Sequence, residues 1–96
     1  MIKKLSIKAL NAELKNINLW VITDEKLYRM IKFKNFITAF SFMTHIAILS
    51  EKLNHHPEWK NTYNQVEIWL TTHDAKGITA KDIELAKLID EYSQTK

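Results

Sequence analysis

The chain contains no cysteine among its 96 residues. Disulfide scaffolds, thiolate metal sites and thiol nucleophiles are therefore excluded. Glycine and proline occur once each, as Gly77 and Pro57, which excludes collagen-like, linker-like and low-complexity chains. The longest uncharged stretch, residues 35–50, includes polar side chains and is too short to span a bilayer.

The length and charge of the chain narrow the class of protein further. A chain of 96 residues predicts one domain, spanning residues 1–96. The net charge is +3, but the lysines and arginines are scattered rather than clustered, so we expect no direct nucleic-acid partner. The first residues include no long apolar region, which argues against a signal peptide and predicts a cytoplasmic location without membrane attachment.

Hydrophobic periodicity predicts the order helix, two strands, long helix, two strands, helix. Ser6 is a candidate cap for the first helix, and a capping-box pattern starting at Thr79 precedes the last. The predicted ranges are 5–14, 19–23, 27–33, 35–53, 58–63, 64–71 and 83–92. Strands paired by hairpins, with helices packed on one face, predict an α+β two-layer sandwich with a four-stranded antiparallel sheet.

The long helix carries more apolar surface than one sheet can cover. One set of apolar residues, from Phe36 to Leu53, fills about half of its circumference. Ile37 and Ile48 form a second, narrower stripe outside that half. We expect the second stripe to contact another subunit; the alternative is that both isoleucines are ordinary exposed residues.

Histidine is the residue type most suited to chemistry in this sequence, because it titrates near neutral pH. His55 and His56 are adjacent, and Pro57 holds the chain extended just after the long helix. A solvated polar loop is the alternative, and the pair alone favours it. His73 ends the fourth predicted strand, where adjacent strands would bring it near the pair. His45 lies on the polar side of the long helix and is predicted to be a surface residue.

Two acids occupy positions that call for explanation. Glu51 falls in the last helical turn, where a carboxylate is unfavourable unless it is bonded; an ordinary surface pairing with Lys52 or Lys60 is the alternative. Asp82 falls inside the apolar arc of the last helix, but its place in the Thr79 capping box explains an acid there without function.

Two further alternatives remain open from the residues alone. Trp59 and Trp69 either belong to the core or stack on a flat ligand, and core is the usual place for a tryptophan. Three histidines could form a His₃ zinc site, but neighbouring residues in extended chain point in opposite directions. The residues themselves therefore indicate a small α+β protein with a candidate histidine site.

The segment Glu51-Lys-Leu-Asn-His-His-Pro-Glu-Trp-Lys-Asn-Thr-Tyr63, followed by His73 and Asp82, resembles the signature of the pterin-4a-carbinolamine dehydratases. Residues 33–44 resemble the long helix of that family, and Trp20 its first-strand tryptophan. The resemblance runs from about residue 20 to residue 92. It implies the same α+β sandwich, assembled as a homotetramer or homodimer.

The resemblance implies dehydration of 4a-hydroxytetrahydropterin to quinonoid dihydropterin, in tetrahydrobiopterin or tetrahydropterin recycling for aromatic amino-acid hydroxylases. It implies no metal and no cofactor. The implied catalytic residues are the three histidines of the motif: His55, His56 and His73. The implied substrate-binding residues surround them: Glu51, Pro57, Trp59, Thr72, Asp74 and Asp82.

The sequence departs from the family pattern at two positions near the motif. Asn54 stands where the family often has Asp, and Lys81 where it often has Arg. Lysine cannot make the forked hydrogen bonds of arginine. Two other roles implied by the family stay open: a dimerisation cofactor for a transcription factor, using the long-helix surface, and an orphan role in molybdopterin-related metabolism.

Overall fold

The computed structural model describes residues 2–94. The helices are α1 (Ile7–Leu14), α2 (Phe36–Leu53) and α3 (Ala80–Gln94), and the strands are β1 (Val21–Thr23), β2 (Lys26–Lys32), β3 (Glu58–Thr62) and β4 (Gln65–Leu70). The strands form one antiparallel sheet in the order β1-β2-β4-β3. The predicted α+β fold is therefore confirmed.

The sheet has a buried face and an outer face because side chains alternate along each strand. In β4, Val66, Ile68 and Leu70 are fully buried beneath the helices. On the outer face the ring of Tyr28 lies 5.2 Å from that of Trp69. The Tyr28 hydroxyl also donates to Glu67 at 2.8 Å, and this hydrogen bond raises the pKa of Tyr28.

Helix α2 packs on the sheet through a stripe centred on Ala39, Phe42 and Ile46, all of which are buried. Ser50 continues the stripe and is also buried. Its hydroxyl is satisfied there, because Oγ donates to the Ile46 carbonyl at 2.8 Å. The helix begins where the Asn35 side chain accepts the Thr38 backbone N–H at 2.8 Å, which satisfies one of its first free donors.

The prediction that one apolar half of α2 faces the sheet is wrong for Phe36 and Phe40. These residues are 46% and 54% exposed and lie with Ile37 and Ile48, which are 75% and 54% exposed. At 100° per residue Ile37 and Ile48 lie opposite the buried stripe, and Phe40 and Phe36 lie between those two positions and the edge of the stripe. We call this set, Phe36, Ile37, Phe40 and Ile48, the outward face of α2.

Element boundaries differ modestly from those predicted. Strand β1 starts at Val21, since the Trp20 backbone N–H donates to the Ile17 carbonyl at 3.0 Å rather than to a strand. The Trp20 side chain is buried, and its indole N–H donates to Asp90 Oδ1 at 2.7 Å. Helix α3 starts at Ala80, three residues before the predicted start. His45 is half-buried rather than a plain surface residue, since its ring stacks on Tyr92 at 3.7 Å.

Within residues 2–94, no helix combines the length and apolar character needed to cross a membrane.

Candidate active site

A residue in the left-handed conformation ends α2 just before the two adjacent histidines. Asn54 adopts φ 53° and ψ 44°, a conformation that asparagine tolerates better than most residues. The chain then reverses, and the His55 backbone N–H donates to the Ser50 carbonyl at 3.0 Å. As a result His55 is buried and His56 is exposed, so the two rings meet different surroundings.

The buried ring of His55 is held by a buried carboxylate. His55 Nε2 lies 2.5 Å from Asp82 Oδ1, and Asp82 is 0% exposed. An ionised carboxylate can only accept hydrogen bonds, so Nε2 carries the proton. Nδ1 is then the nitrogen of the neutral ring that can accept a proton.

The second oxygen of Asp82 is also fully engaged. Asp82 Oδ2 accepts the hydroxyl of Thr72 at 2.8 Å and the backbone N–H of Thr79 at 2.8 Å. Thr72 donates its one hydroxyl proton to Asp82. The Thr79 hydroxyl must therefore donate to Thr72, and the two oxygens lie 2.7 Å apart. This directed chain of hydrogen bonds fixes the carboxylate and, through it, the orientation of the His55 ring.

Asp82 therefore combines two roles that the sequence presented as alternatives. Its Oδ2 completes the capping arrangement at the start of α3, as the Thr79 pattern predicted. Its Oδ1 simultaneously holds a histidine from the other side of the site. The capping motif explains why an acid stands at this position, and the His55 contact shows that capping is only half of its bonding.

Glu51 holds the second histidine of the pair. Glu51 Oε2 lies 2.5 Å from His56 Nε2, and both side chains are exposed to solvent. The expected cost of an acid at a helix C-terminus is thus offset by a histidine, rather than by Lys52 or Lys60. Each histidine of the pair has its Nε2 on a different carboxylate, an arrangement that does not favour a zinc ion shared between them.

A short rigid loop presents His73 beside the pair. Antiparallel pairing of β3 with β4 brings the end of β4 next to the start of β3. Thr72 and Gly77 then close the loop by two backbone hydrogen bonds, of 2.9 and 3.3 Å. The loop between them forms a 3₁₀ turn over His73–Ala75. The predicted proximity of His73 to the pair follows directly from this strand order.

All three histidines line one cavity of about 330 Å³. This volume is at the lower end of the range for small-molecule sites. The other lining residues are polar with one exception, and they comprise Asn54, Thr71, Thr72, Asp74, Lys81 and the apolar Ile2. The cavity thus brings together the predicted site residues His55, His56, His73, Thr72 and Asp74.

Four other predicted site residues are not among those that line this cavity: Glu51, Pro57, Trp59 and Asp82. Glu51 and Asp82 contact the histidines instead. Trp59 pairs with Ile68 across the sheet and packs, half-buried, against the hydrophobic core on the helix side. Direct contact of these four residues with substrate stays a prediction.

Sequence reasoning did not include four of the lining residues in the site. Asn54 and Lys81 were noted only as departures from the family pattern, although both stand next to site residues. Thr71 could have been found from its position beside Thr72 at the end of β4. Ile2 had no signal in the sequence, because its place in the cavity depends on how the first residues cross the fold.

Comparison with known proteins identifies the family. The profile of the family described as Pterin 4 alpha carbinolamine dehydratase matches residues 3–92. A protein of Solibacter usitatus (strain Ellin6076), named "Putative pterin-4-alpha-carbinolamine dehydratase", is 50% identical over 90 residues, which cover 94% of this chain and 95% of that protein. A protein of the same name from Burkholderia pseudomallei (strain K96243) is 43% identical over 96 residues, covering 98% and 95%.

A solved structure agrees with this relationship. The crystal structure of a transcriptional coactivator/pterin dehydratase from Brucella melitensis matches with a TM-score of 0.90 and 41% identity, over 93% of this chain and 97% of that one. The family profile covers nearly the whole chain, and the relatives match over almost their full lengths. The chain belongs to the pterin-4a-carbinolamine dehydratase family.

Proposed function

We propose that the protein is a hydro-lyase that removes water from 4a-hydroxytetrahydropterin to give quinonoid dihydropterin. The observation that carries the proposal is the convergence of three imidazoles, from two separate segments, on one cavity. In the reaction the C4a–O bond breaks, the N5–H proton leaves, and a C4a=N5 double bond forms. The hydroxyl must gain a proton to depart as water, so the site needs both an acid and a base.

His55 is suited to be the base. Asp82 holds its Nε2 protonated, which leaves the Nδ1 lone pair to take the N5 proton. Asp82 also stabilises the imidazolium that then forms, as a buried carboxylate does for a histidine base in hydrolases. A well-placed group of this kind accelerates proton transfer by roughly 10²–10⁴-fold.

His56 and His73 are suited to supply the proton to the leaving hydroxyl. Both are exposed, so a proton that either one loses can be replaced from solvent. Glu51 Oε2 lies 2.5 Å from His56 Nε2 and so orients this ring. His73 reaches the same cavity from the Thr72–Gly77 loop.

The polar lining suits the rest of a pterin. Asp74 and the Asn54 side chain can hydrogen-bond to the amino-pyrimidinone edge, which offers both donors and an acceptor. Thr72 donates its hydroxyl proton to Asp82, so towards a substrate its oxygen can act only as an acceptor. We further propose that the reaction belongs to tetrahydrobiopterin or tetrahydropterin recycling in the cytoplasm, without a metal or cofactor.

A stopped assay with freshly generated 4a-hydroxytetrahydropterin tests the proposal. The carbinolamine dehydrates slowly in buffer, and the wild-type protein should accelerate the appearance of the quinonoid absorbance in proportion to protein concentration. A rate no different from that of buffer, with a folded protein, would refute the proposed activity. Metal analysis of the purified protein belongs with it, because stoichiometric zinc would contradict a metal-free reaction.

We also propose that the outward face of α2 binds a second copy of this chain, giving a homodimer or homotetramer. Four large apolar side chains on that face are between 46% and 75% exposed. Residues 35–50 carry no lysine, arginine, aspartate or glutamate. Two such helices can therefore pack together without burying an unpaired charge, which would be costly.

A binding role is the second candidate function, favoured by the same outward face. The Brucella melitensis protein is named as a transcriptional coactivator as well as a dehydratase. In a dimerisation cofactor, the outward face would bind a helix of another protein and the histidines would be dispensable. Substitution of His56 and His73 separates the two roles, because it should abolish dehydration and leave any partner complex unchanged.

A further inference from the structure

The first described residues lie across the loop that carries His73. The Leu5 backbone N–H donates to the Ile78 carbonyl at 2.8 Å, and the Leu5 side chain packs half-buried against the core. This hydrogen bond anchors residues 2–5, which we call the strap. Helix α1 follows at once from its cap at Ser6, so the strap is tied to the fold at its far end.

The only glycine of the chain provides the surface on which the strap rests. A Cβ on Gly77 would stand 2.3 Å from Lys4 Cδ and 2.9 Å from Lys4 Cγ. Gly77 does not adopt a positive φ, so it is the space for the Lys4 stem that calls for glycine here. Gly77 is also bonded to Thr72, and the strap therefore sits directly on the loop that presents His73.

The strap delivers the one apolar residue among those that line the histidine cavity, Ile2. A flat heterocycle needs apolar contact on its ring faces as well as polar contact at its edges. Trp59, one of the two tryptophans that could stack on a flat ligand, packs against the core and is not among the residues that line the cavity. Ile2 is half-buried, so its side chain has further surface to lose when a ligand enters.

From these contacts we infer that Ile2 is a substrate-binding residue, whose side chain packs on the ring face of the pterin. The inference rests on the proposed dehydratase function. The contact is the same before and after water leaves, since it involves no reacting atom. Ile2 therefore contributes uniform binding, which affects KM and leaves kcat nearly unchanged.

The variant Ile2→Ala tests the inference, with Ile7→Ala as the matched control. Ile7 is 80% exposed and is not among the residues that line the histidine cavity. We expect Ile2→Ala to raise KM by about tenfold or more, because lost apolar groups in a binding site cost about that much, with kcat within about threefold. Ile2→Val should restore most of the affinity, and Ile7→Ala should match the wild type.

Binding of a stable pterin, 7,8-dihydrobiopterin, measured by equilibrium dialysis, gives a readout that does not depend on turnover. Its affinity should fall in Ile2→Ala by about the same factor as 1/KM. If the wild type is active and Ile2→Ala has the same KM and the same pterin affinity, the inference about Ile2 is overturned. The proposed dehydratase function is then unaffected. A wild type that binds pterin through Ile2 without dehydrating the carbinolamine would refute the function alone, and one that neither binds nor reacts would refute both.

The variant Gly77→Ala tests the strap itself. Its new Cβ would overlap Lys4 Cδ and Cγ, so we expect the strap to shift with Lys4 and KM to rise in the same direction. An unchanged KM would show that the exposed Lys4 side chain moves alone and would overturn the role of Gly77 in holding the strap. In the Ile2→Ala background the second substitution should then add little, because coupled residues act non-additively. An equal rise in both backgrounds would mean that Gly77→Ala acts through the His73 loop, and would overturn the role of the strap.

Discussion

His55 Nε2 and Asp82 Oδ1 lie 2.5 Å apart, although 27 residues separate them in the chain. The contact joins the end of α2 to the first turn of α3. It fixes the tautomer of one imidazole inside a cavity that two others share. Because the carboxylate is fully buried and accepts three hydrogen bonds, this histidine is far more tightly held than His56.

Asp82→Asn should leave the fold intact and remove most of the activity. The amide oxygen can still accept from Thr72 and Thr79, which forces the NH₂ group toward His55. His55 must then present a lone pair at Nε2 and a proton at Nδ1, so it can no longer accept the N5 proton. We expect kcat to fall by roughly 10²–10⁴-fold.

Steady-state kinetics, with circular dichroism to verify the fold, measure this effect. The matched control is Glu84→Gln, an acid-to-amide change at an exposed position of the same helix, which should keep wild-type activity. Wild-type kcat in Asp82→Asn would show that the His55 tautomer does not matter for the reaction.

Glu51→Gln should have a much smaller effect than Asp82→Asn. The Glu51–His56 contact is exposed, with side chains 78% and 57% accessible, and solvent and salt screen such pairs strongly. We expect kcat to fall by no more than about fivefold at low salt, and the difference from the wild type to shrink at high salt. Kinetics over a range of salt concentrations measure it, and a salt-independent loss of a hundredfold or more would contradict this assignment.

Trp59→Leu should affect stability rather than substrate binding. Trp59 is half-buried against the core on the helix side of the sheet, so truncation removes packing there. We expect the free energy of unfolding to fall by about 1–3 kcal/mol, with KM within about twofold. Urea denaturation and steady-state kinetics measure the two effects. A tenfold rise in KM without loss of stability would instead support the predicted contact of Trp59 with the substrate.

Ile37→Asp and Ile48→Asp should dissociate the oligomer. Each substitution places a charge in the centre of an apolar interface, where it is costly unless paired. Analytical ultracentrifugation should show monomer for both variants and a dimer or tetramer for the wild type. The control, Ile7→Asp, alters an equally exposed isoleucine on α1 and should leave assembly unchanged. A monomeric wild type, or variants that assemble normally, would contradict the proposed interface.

The order of elements followed well from the sequence, because strand alternation and helical periodicity are local signals. The orientation of α2 followed in part. The wider apolar half does hold the buried residues Ala39, Phe42 and Ile46, but Phe36 and Phe40 at its edge are exposed. Periodicity does not show where the covered part of an apolar arc ends, because that limit depends on tertiary packing.

The site was predictable where strand order determines it. His73 lies beside the His55–His56 pair because β3 and β4 are adjacent and antiparallel. The two bonding roles of Asp82 could not be read from its capping pattern, since the His55 contact spans two helices. Ile2 was not predictable at all, because no periodicity places a strap over a distant loop.

The most direct test of the proposed mechanism is the rate of carbinolamine dehydration by His56→Ala and His73→Ala beside the wild type. Each variant should keep its fold and assembly, because both side chains are exposed, and should dehydrate freshly generated 4a-hydroxytetrahydropterin no faster than buffer does. Wild-type rates in both variants would show that these imidazoles do not handle the protons of the reaction.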